Sequence, residues 1–245
     1  MSPTCGAGRT RNKVAFYNKF WESWDVAELD PWHHATVNFL KGQDLSRVKI
    51  LDVGCGVGKI FWKITAGMNV GIDLSLGALK IASEKSDSPY ICSVAENLPF
   101  RRESFDIVLL LEVIEHVDDQ EACLAEISRV LKRGGLLILS FPNYCHLPWL
   151  LVRIMARILN KPGWINLQLI DRILNYFQVK RKLTNYGMRL IKIIGSAYLP
   201  PIIYNFVRRK GKSDYWELNH FLDKLHLQFL SFHPVMVLKK FDILR

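Results

Sequence analysis

The sequence has no cysteine pair at C-x-x-C spacing. Its five cysteines, Cys5, Cys55, Cys92, Cys123 and Cys145, are scattered and odd in number. A zinc cluster or a disulfide framework is not built that way, and the pattern suits a reducing compartment. The first thirteen residues are polar and basic and lack the apolar stretch of a secretory signal, so a cytoplasmic location is expected. Acidic residues are scarce in one part of the chain. Residues 142–245 hold 5 of them against 17 basic residues, whereas residues 1–141 hold 18 against 16. The formal net charge of +10 therefore arises entirely from the later part. Such asymmetry points to a polyanionic partner, an anionic membrane surface or nucleic acid, with a solvated basic face as the plain alternative. An uninterrupted membrane span is also missing. Residues 134–152 are uncharged, but Gly134, Gly135, Pro142, Asn143 and Pro148 break the run. It reads as a buried strand, a turn and the start of a helix.

What is present is a core. Across 245 residues the chain is 49% hydrophobic and 11% aromatic, enough to exclude global disorder. Short apolar runs alternate with helical patterns over residues 49–141. Strands are predicted at 49–53, 69–72, 90–94, 105–111 and 136–141, and helices at 58–66, 76–85 and 118–130. Ser75 is read as one N-cap and a capping box at Asp118–Glu121 as another, with Gly134 closing that last helix. Gly187 closes a further helix before a strand at 188–195, and residues 235–241 make the last strand. A helix over residues 14–24, with Trp21, Trp24 and Trp32 nearby, is expected at the front. Repeated strand–helix units imply an α/β fold with a doubly wound, mostly parallel sheet, in which ligands bind at the carboxyl ends of the strands.

Three signals lie at those ends. Asp52-Val53-Gly54-Cys55-Gly56-Val57-Gly58 follows the first strand, and its glycines allow a tight turn and close approach to a ligand. A dinucleotide fingerprint would place a third glycine where Lys59 stands. Asp73 ends the second strand, where a carboxylate can accept hydrogen bonds from both ribose hydroxyls of a nucleoside. Glu112, Glu115 and His116 are spaced i, i+3, i+4 and share one face if they are helical. That cluster has three readings: helix packing, a general base for the acceptor, or a divalent-metal site with His146 as the nearest further ligand.

The stretches DVGCGVGK, GIDLS, AENLPF, SFDIVLLLEVIEHVDD and RVLKRGGLLILSFPN, spanning residues 49–143, resemble the S-adenosylmethionine-dependent class I methyltransferases of the type 11 group. EVIEH and the apolar, basic stretch after the fifth strand are similar, more weakly, to ubiquinone-biosynthesis O-methyltransferases. The resemblance implies a seven-stranded Rossmann-like sheet with an antiparallel last strand and a helical insertion after the fifth strand. It divides a single domain, 1–245, into a helical cap (1–45), a cofactor-binding core (46–143), the insertion (144–187) and C-terminal strands (188–245). S-adenosylmethionine is the implied cofactor, held by Asp52, Gly54, Cys55, Gly56, Asp73, Leu74, Ala95, Glu96 and Leu111. Gly54 and Gly56 would face its methionine part, Asp73 its ribose, Leu74 and the Ala95–Glu96 pair its adenine, and Leu111 its sulfonium. The family's usual aspartate before Ala-Glu is Val94 here, which shifts adenine binding to backbone groups and Ser93.

Glu112, Glu115 and His116 are the catalytic candidates. Methyl transfer by in-line displacement to O, N or C is the expected reaction. The expected substrate is a hydrophobic small molecule, a quinone or polyprenyl lipid. RNA methylation and a non-catalytic membrane-bound cofactor sensor are the alternatives. Residues 147–159, LPWLLVRIMARIL, carry Arg153 and Arg157 one turn apart on an otherwise apolar helix, the pattern of an interfacial membrane helix. Peripheral attachment to an anionic membrane follows as an expectation, ahead of nucleic acid binding; packing on the sheet or at a subunit contact is the alternative.

Overall fold

The computed structural model describes residues 9–23, 29–143, 174–196 and 231–241, together with positions 151, 154, 155, 158, 159, 198 and 228. In chain order the elements are α1 (Arg9–Ser23), α2 (Pro31–Lys41), β1 (Lys49–Val53), β2 (Met68–Asp73), α3 (Leu76–Lys85), β3 (Tyr90–Cys92), β4 (Phe105–Leu111), α4 (Gln120–Val130), β5 (Leu131–Ser140), α5 (Tyr176–Asn185), β6 (Met188–Ile194) and β7 (Val235–Lys240). The seven strands form one sheet in the order β3-β2-β1-β4-β5-β7-β6. Neighbours are parallel from β3 to β5, and β7 is antiparallel to both β5 and β6.

The central strands are apolar throughout because both faces of the sheet are covered. Along β4, Val108 and Leu110 point into one core, which includes Leu124 and Ile127 of α4 and Val179 and Leu183 of α5. Ile107, Leu109 and Leu111 point into the other, with Ala35, Val37 and Leu40 of α2. The same alternation runs through β7, where Met236 and Leu238 face the first core and Val235 and Val237 the second. Each fully buried Leu or Ile side chain contributes about 1.5–3 kcal/mol, so these two layers fix the strand register.

Several elements differ from the sequence reading. No α-helix follows the glycine loop. Residues 58–63 form successive tight turns, with Phe61 N bonded to Gly58 O and Lys63 N to Ile60 O. Gly58 is at φ +79°, and the β-branched and aromatic residues after it favour helix weakly. The cap of α4 is Asp119 rather than a box begun by Asp118: its carboxylate accepts from the amides of Glu121 and Ala122. That helix stops at Val130, and Lys132, Arg133 and Gly134 already lie in β5. β3 ends at Cys92, two residues short of its predicted end, and α1 begins five residues earlier than predicted. Trp24, His146, Arg153 and Arg157 lie outside the described residues, as do Trp149 and most of the insertion.

Candidate functional site

The glycine loop hangs from β2. The amides of Gly54 and Cys55 both donate to the carbonyl of Ile72, at 2.8 and 2.9 Å. Asp73, the next residue, accepts the Gly56 amide at Oδ2 and the Ser75 amide at Oδ1, each at 2.8 Å. One carboxylate thus pins the loop to the start of α3. With the Leu74 amide also nearby, part of its accepting capacity remains for a ligand. Gly54 and Gly56 both have positive φ, +72° and +53°. A Cβ on Gly54 would lie 2.4 Å from Val113, and one on Gly56 would lie 2.6 Å from the Trp21 ring. The loop is therefore closed on one side by the chain after β4 and on the other by α1.

Asp52 sits beneath this loop, 4% exposed. Burial pushes its carboxyl up to about 7, and the neighbouring Asp73 charge adds to the effect. Burial also raises Asp73, although the amides of Ser75, Gly56 and Leu74 pull the other way. Two nearby carboxyls that resist ionising together are suited to a cationic ligand, which would restore the charge on both. Cys55 is buried, and its thiol is held well above its ordinary range, so it is packing and not a nucleophile.

Lys59 also has a structural role. Its ammonium is 4% exposed and lies 3.1 Å from Asp30, the N-cap of α2. Burial alone would raise Asp30, but the hydrogen bond and charge of His33, together with Lys59, bring it down to about 2. The lysine at the place of a third glycine thus ties the loop to α2.

α1 crosses the site as a strap. Lys13 donates to the carbonyl of His116 and to the carboxylate of Asp118, both at 2.7 Å. Further along, Asn18 Oδ1 accepts from the Ser75 hydroxyl at 2.6 Å and the Gly77 amide at 3.3 Å. Trp21 then covers Gly56. Through these contacts α1 lies over the glycine loop and the start of α3.

Of the adenine-side candidates, Leu74 follows Asp73 directly and Ala95 is buried. Glu96 Oε1 accepts the Asp118 amide at 2.7 Å, which ties it to the loop before α4. Ser93 is held beside Asp73 by a backbone bond and donates its hydroxyl to the Asn97 carbonyl at 3.0 Å. Leu111 ends β4, 8% exposed, one residue before the acidic cluster.

The expected shared face of Glu112, Glu115 and His116 does not exist. Glu112 has φ +56°, and residues 114–116 form a turn closed by His116 N to Val113 O at 2.9 Å. A left-handed glutamate costs about 1–2 kcal/mol, and here it reverses the chain so that the cluster splits. Glu115 and His116 lie 3.6 Å apart on the α1 side, with Glu115 1% exposed and Tyr17 edge-on to the imidazole at 6.1 Å. Glu112 points the other way. Its Oε1 accepts from the Ser140 hydroxyl, and its Oε2 lies 2.7 Å from Nδ1 of His233. Among the described residues no three His, Cys, Asp or Glu side chains gather as a metal site.

His233 was not singled out from the sequence. It stands two residues before β7, and its position beside Glu112 depends on Val235 pairing with Ser140 at the carboxyl end of β5. Trp32 of α2 packs its ring 4.5 Å from the imidazole. A lone histidine ahead of a late antiparallel strand carries no local signal of such a meeting.

Residues 51–139 match the family model described as a methyltransferase domain. A ubiquinone biosynthesis O-methyltransferase from Bradyrhizobium is 41% identical over 107 residues, 40% of this chain and 42% of that protein. One of the same description from Rickettsia canadensis is 29% identical over 189 residues, 73% of this chain and 76% of that protein. The alignments span about two fifths of the length of the first curated relatives. Among solved structures, a magnesium protoporphyrin IX methyltransferase from Synechocystis with S-adenosylmethionine bound superimposes with a TM-score of 0.60 at 12% identity. That match covers 97% of this chain and 99% of the other. The domain match over residues 51–139 and the seven strands in this order give this chain the fold of the class I S-adenosylmethionine-dependent methyltransferases.

Proposed function

We propose that this protein transfers a methyl group from S-adenosylmethionine to a hydrophobic small molecule, a quinone precursor or polyprenyl lipid, at an anionic membrane surface. The observation that carries the cofactor is Asp73, fixed by the Gly56 and Ser75 amides at the carboxyl end of β2, where its remaining accepting capacity suits a ribose hydroxyl. The buried Asp52 fits the cofactor's ammonium group for the charge reason given above. When bound, the cofactor supplies a methyl group on a positively charged sulfur. The protein's share is to hold the acceptor in line and close, worth up to about 7–11 kcal/mol of barrier when alignment is good.

The apolar acceptor and the membrane are supported by the insertion and by charge. Leu151, Ile154, Met155, Ile158 and Leu159 follow helical spacing and are 47–76% exposed. Leu159 N bonds to Met155 O as a helix requires. An exposed apolar stripe in a stretch with 17 basic and 5 acidic residues suits a surface that is apolar inside and anionic outside. No described helix is long and apolar enough to cross a membrane. The relatives named as ubiquinone biosynthesis O-methyltransferases point in the same direction.

Calorimetry with S-adenosylmethionine on the full chain tests the first half, and absence of binding refutes it. Flotation with anionic liposomes, beside an RNA-shift titration at matched salt, tests the second. Lipid binding that weakens with salt without vanishing is expected. Steeply salt-dependent RNA binding with no flotation refutes it.

A further inference from the structure

We propose that Glu112 and His233 form the base that accepts the acceptor's proton, and that the acceptor atom is therefore a hydroxyl oxygen. This rests on the methyl-transfer reading above and adds to it the residue and the acceptor class. Three observations converge at the carboxyl ends of β4 and β5. Glu112 adopts a left-handed backbone and so turns its carboxylate toward β7. Its two oxygens are divided: Ser140 donates to Oε1, fixing the carboxylate, while Oε2 faces Nδ1 of His233 at 2.7 Å. The imidazole is clamped by the Trp32 ring at 4.5 Å and the Phe232 ring at 4.4 Å, and the His233 carbonyl accepts the Ser196 hydroxyl.

The pair lies beside the cofactor loop, because Val113, the residue after Glu112, is the one packed on Gly54. Glu112 is the charged group that faces the imidazole among the described residues. Oε2 is 2.7 Å from Nδ1 but not aligned with it as a hydrogen bond here; a carboxylate at that distance favours the tautomer with its proton on Nδ1 once the two align. Nε2 is then an unprotonated acceptor, and it makes no hydrogen bond with a described residue. The arrangement is that of a histidine base oriented by a carboxylate.

The step balances simply. The acceptor's O–H proton passes to Nε2 of His233. An oxygen lone pair forms the bond to the methyl carbon, and the carbon–sulfur bonding pair returns to sulfur, which loses its charge. The imidazolium sits against the Glu112 carboxylate until it gives its proton to water. A neutral aromatic amine has its lone pair free without such a base; a phenolic hydroxyl, whose oxygen becomes a strong nucleophile as its proton leaves, gains most from one.

The test reads the imidazole directly. Nitrogen-15 histidine spectra of the full chain without ligands, recorded above the histidine titration and assigned by the signal lost in His233→Asn, should show Nδ1 protonated and Nε2 bare. Glu112→Gln should abolish that preference. An Nε2-protonated His233, or a spectrum unchanged in Glu112→Gln, overturns the pair. In turnover with 4-nitrocatechol as acceptor probe, His233→Asn should lower kcat on the order of 10²- to 10⁴-fold, with S-adenosylmethionine affinity by calorimetry unchanged. An unchanged kcat overturns the base. If the wild-type protein binds S-adenosylmethionine but methylates neither 4-nitrocatechol nor an alkylated catechol, the hydroxyl-acceptor half falls. Failure to bind S-adenosylmethionine at all instead refutes the parent reading, and the spectra still decide the pair.

Discussion

Replacing Asp52 with asparagine should make the protein's stability less sensitive to pH, and the size of the effect follows from the site. The carboxyl is buried, and it rises from an ordinary 3.8 to about 7, first through burial and then through the Asp73 charge. Below the unfolded value both states hold the proton, and Asp52 carries no penalty. Between the two values the unfolded chain loses its proton while the folded chain keeps it. Unfolding free energy then falls by up to about 1.4 kcal/mol per pH unit. Above the folded value the loss is complete and amounts to roughly 4 kcal/mol. Asparagine does not titrate. The stability of Asp52→Asn relative to wild type should therefore rise by about that amount between about pH 4 and about pH 8. Asp73 also titrates upward, so the difference between the two proteins, not the wild-type curve, isolates Asp52. Chemical denaturation across pH, without cofactor, is the assay. A constant offset between the two curves would refute the reasoning, because it would mean that Asp52 ionises as if exposed. The cofactor's ammonium should reverse the shift. Binding near pH 6 should release about one proton from Asp52, visible as a buffer-dependent heat, and Asp52→Asn should release correspondingly less.

Asp73→Ala should weaken S-adenosylmethionine binding on the order of 10- to 100-fold by calorimetry, since hydrogen bonds to a charged group are worth about 1.5–3 kcal/mol; unchanged affinity would refute the ribose role. Lys13→Met should raise hydrogen exchange along α1, because Lys13 ties that helix to His116 and Asp118; exchange unchanged from wild type would show that the strap is held by its aromatic residues alone. Leu109→Ala, in the centre of β4 and fully buried, should cost about 2–5 kcal/mol in urea denaturation; a loss below about 1 kcal/mol would mean that the second core is loosely packed.

The fold was legible where one chemical pattern had one structural solution. β1 and β4 are apolar runs of strand length bounded by turn residues, and their predicted limits coincide with the observed ones. Asp73 and the glycine loop were legible for the same reason: each lies at the end of such a strand, and close backbone approach requires glycine at Gly54 and Gly56. The failures arose where local preference competed with packing. The stretch after Gly58 has helical spacing, yet Gly58 is held at positive φ between Tyr90 and Ala82, and the chain leaves it in tight turns. At the other end of α4, Lys132, Arg133 and Gly134 look like a helix terminus in isolation. Pairing with β4 takes Leu131 into the sheet first.

The acidic cluster shows why site residues are harder to read than folds. Spacing of i, i+3, i+4 joins Glu112, Glu115 and His116 only if every residue between them is helical, and one positive φ at Glu112 removes the premise. The same dihedral creates a different neighbourhood. Glu112 returns to Ser140 through its backbone, with Glu112 N bonded to Ser140 O at 3.1 Å, and through its side chain. It then reaches His233, 121 positions later in the chain, because β7 enters the sheet antiparallel beside β5. A parallel last strand would start at the opposite end of the sheet and carry His233 away from the cofactor loop. The reversal of one strand and the left-handed turn of one residue are therefore a single device, and both are needed to set an imidazole against a carboxylate beside Gly54.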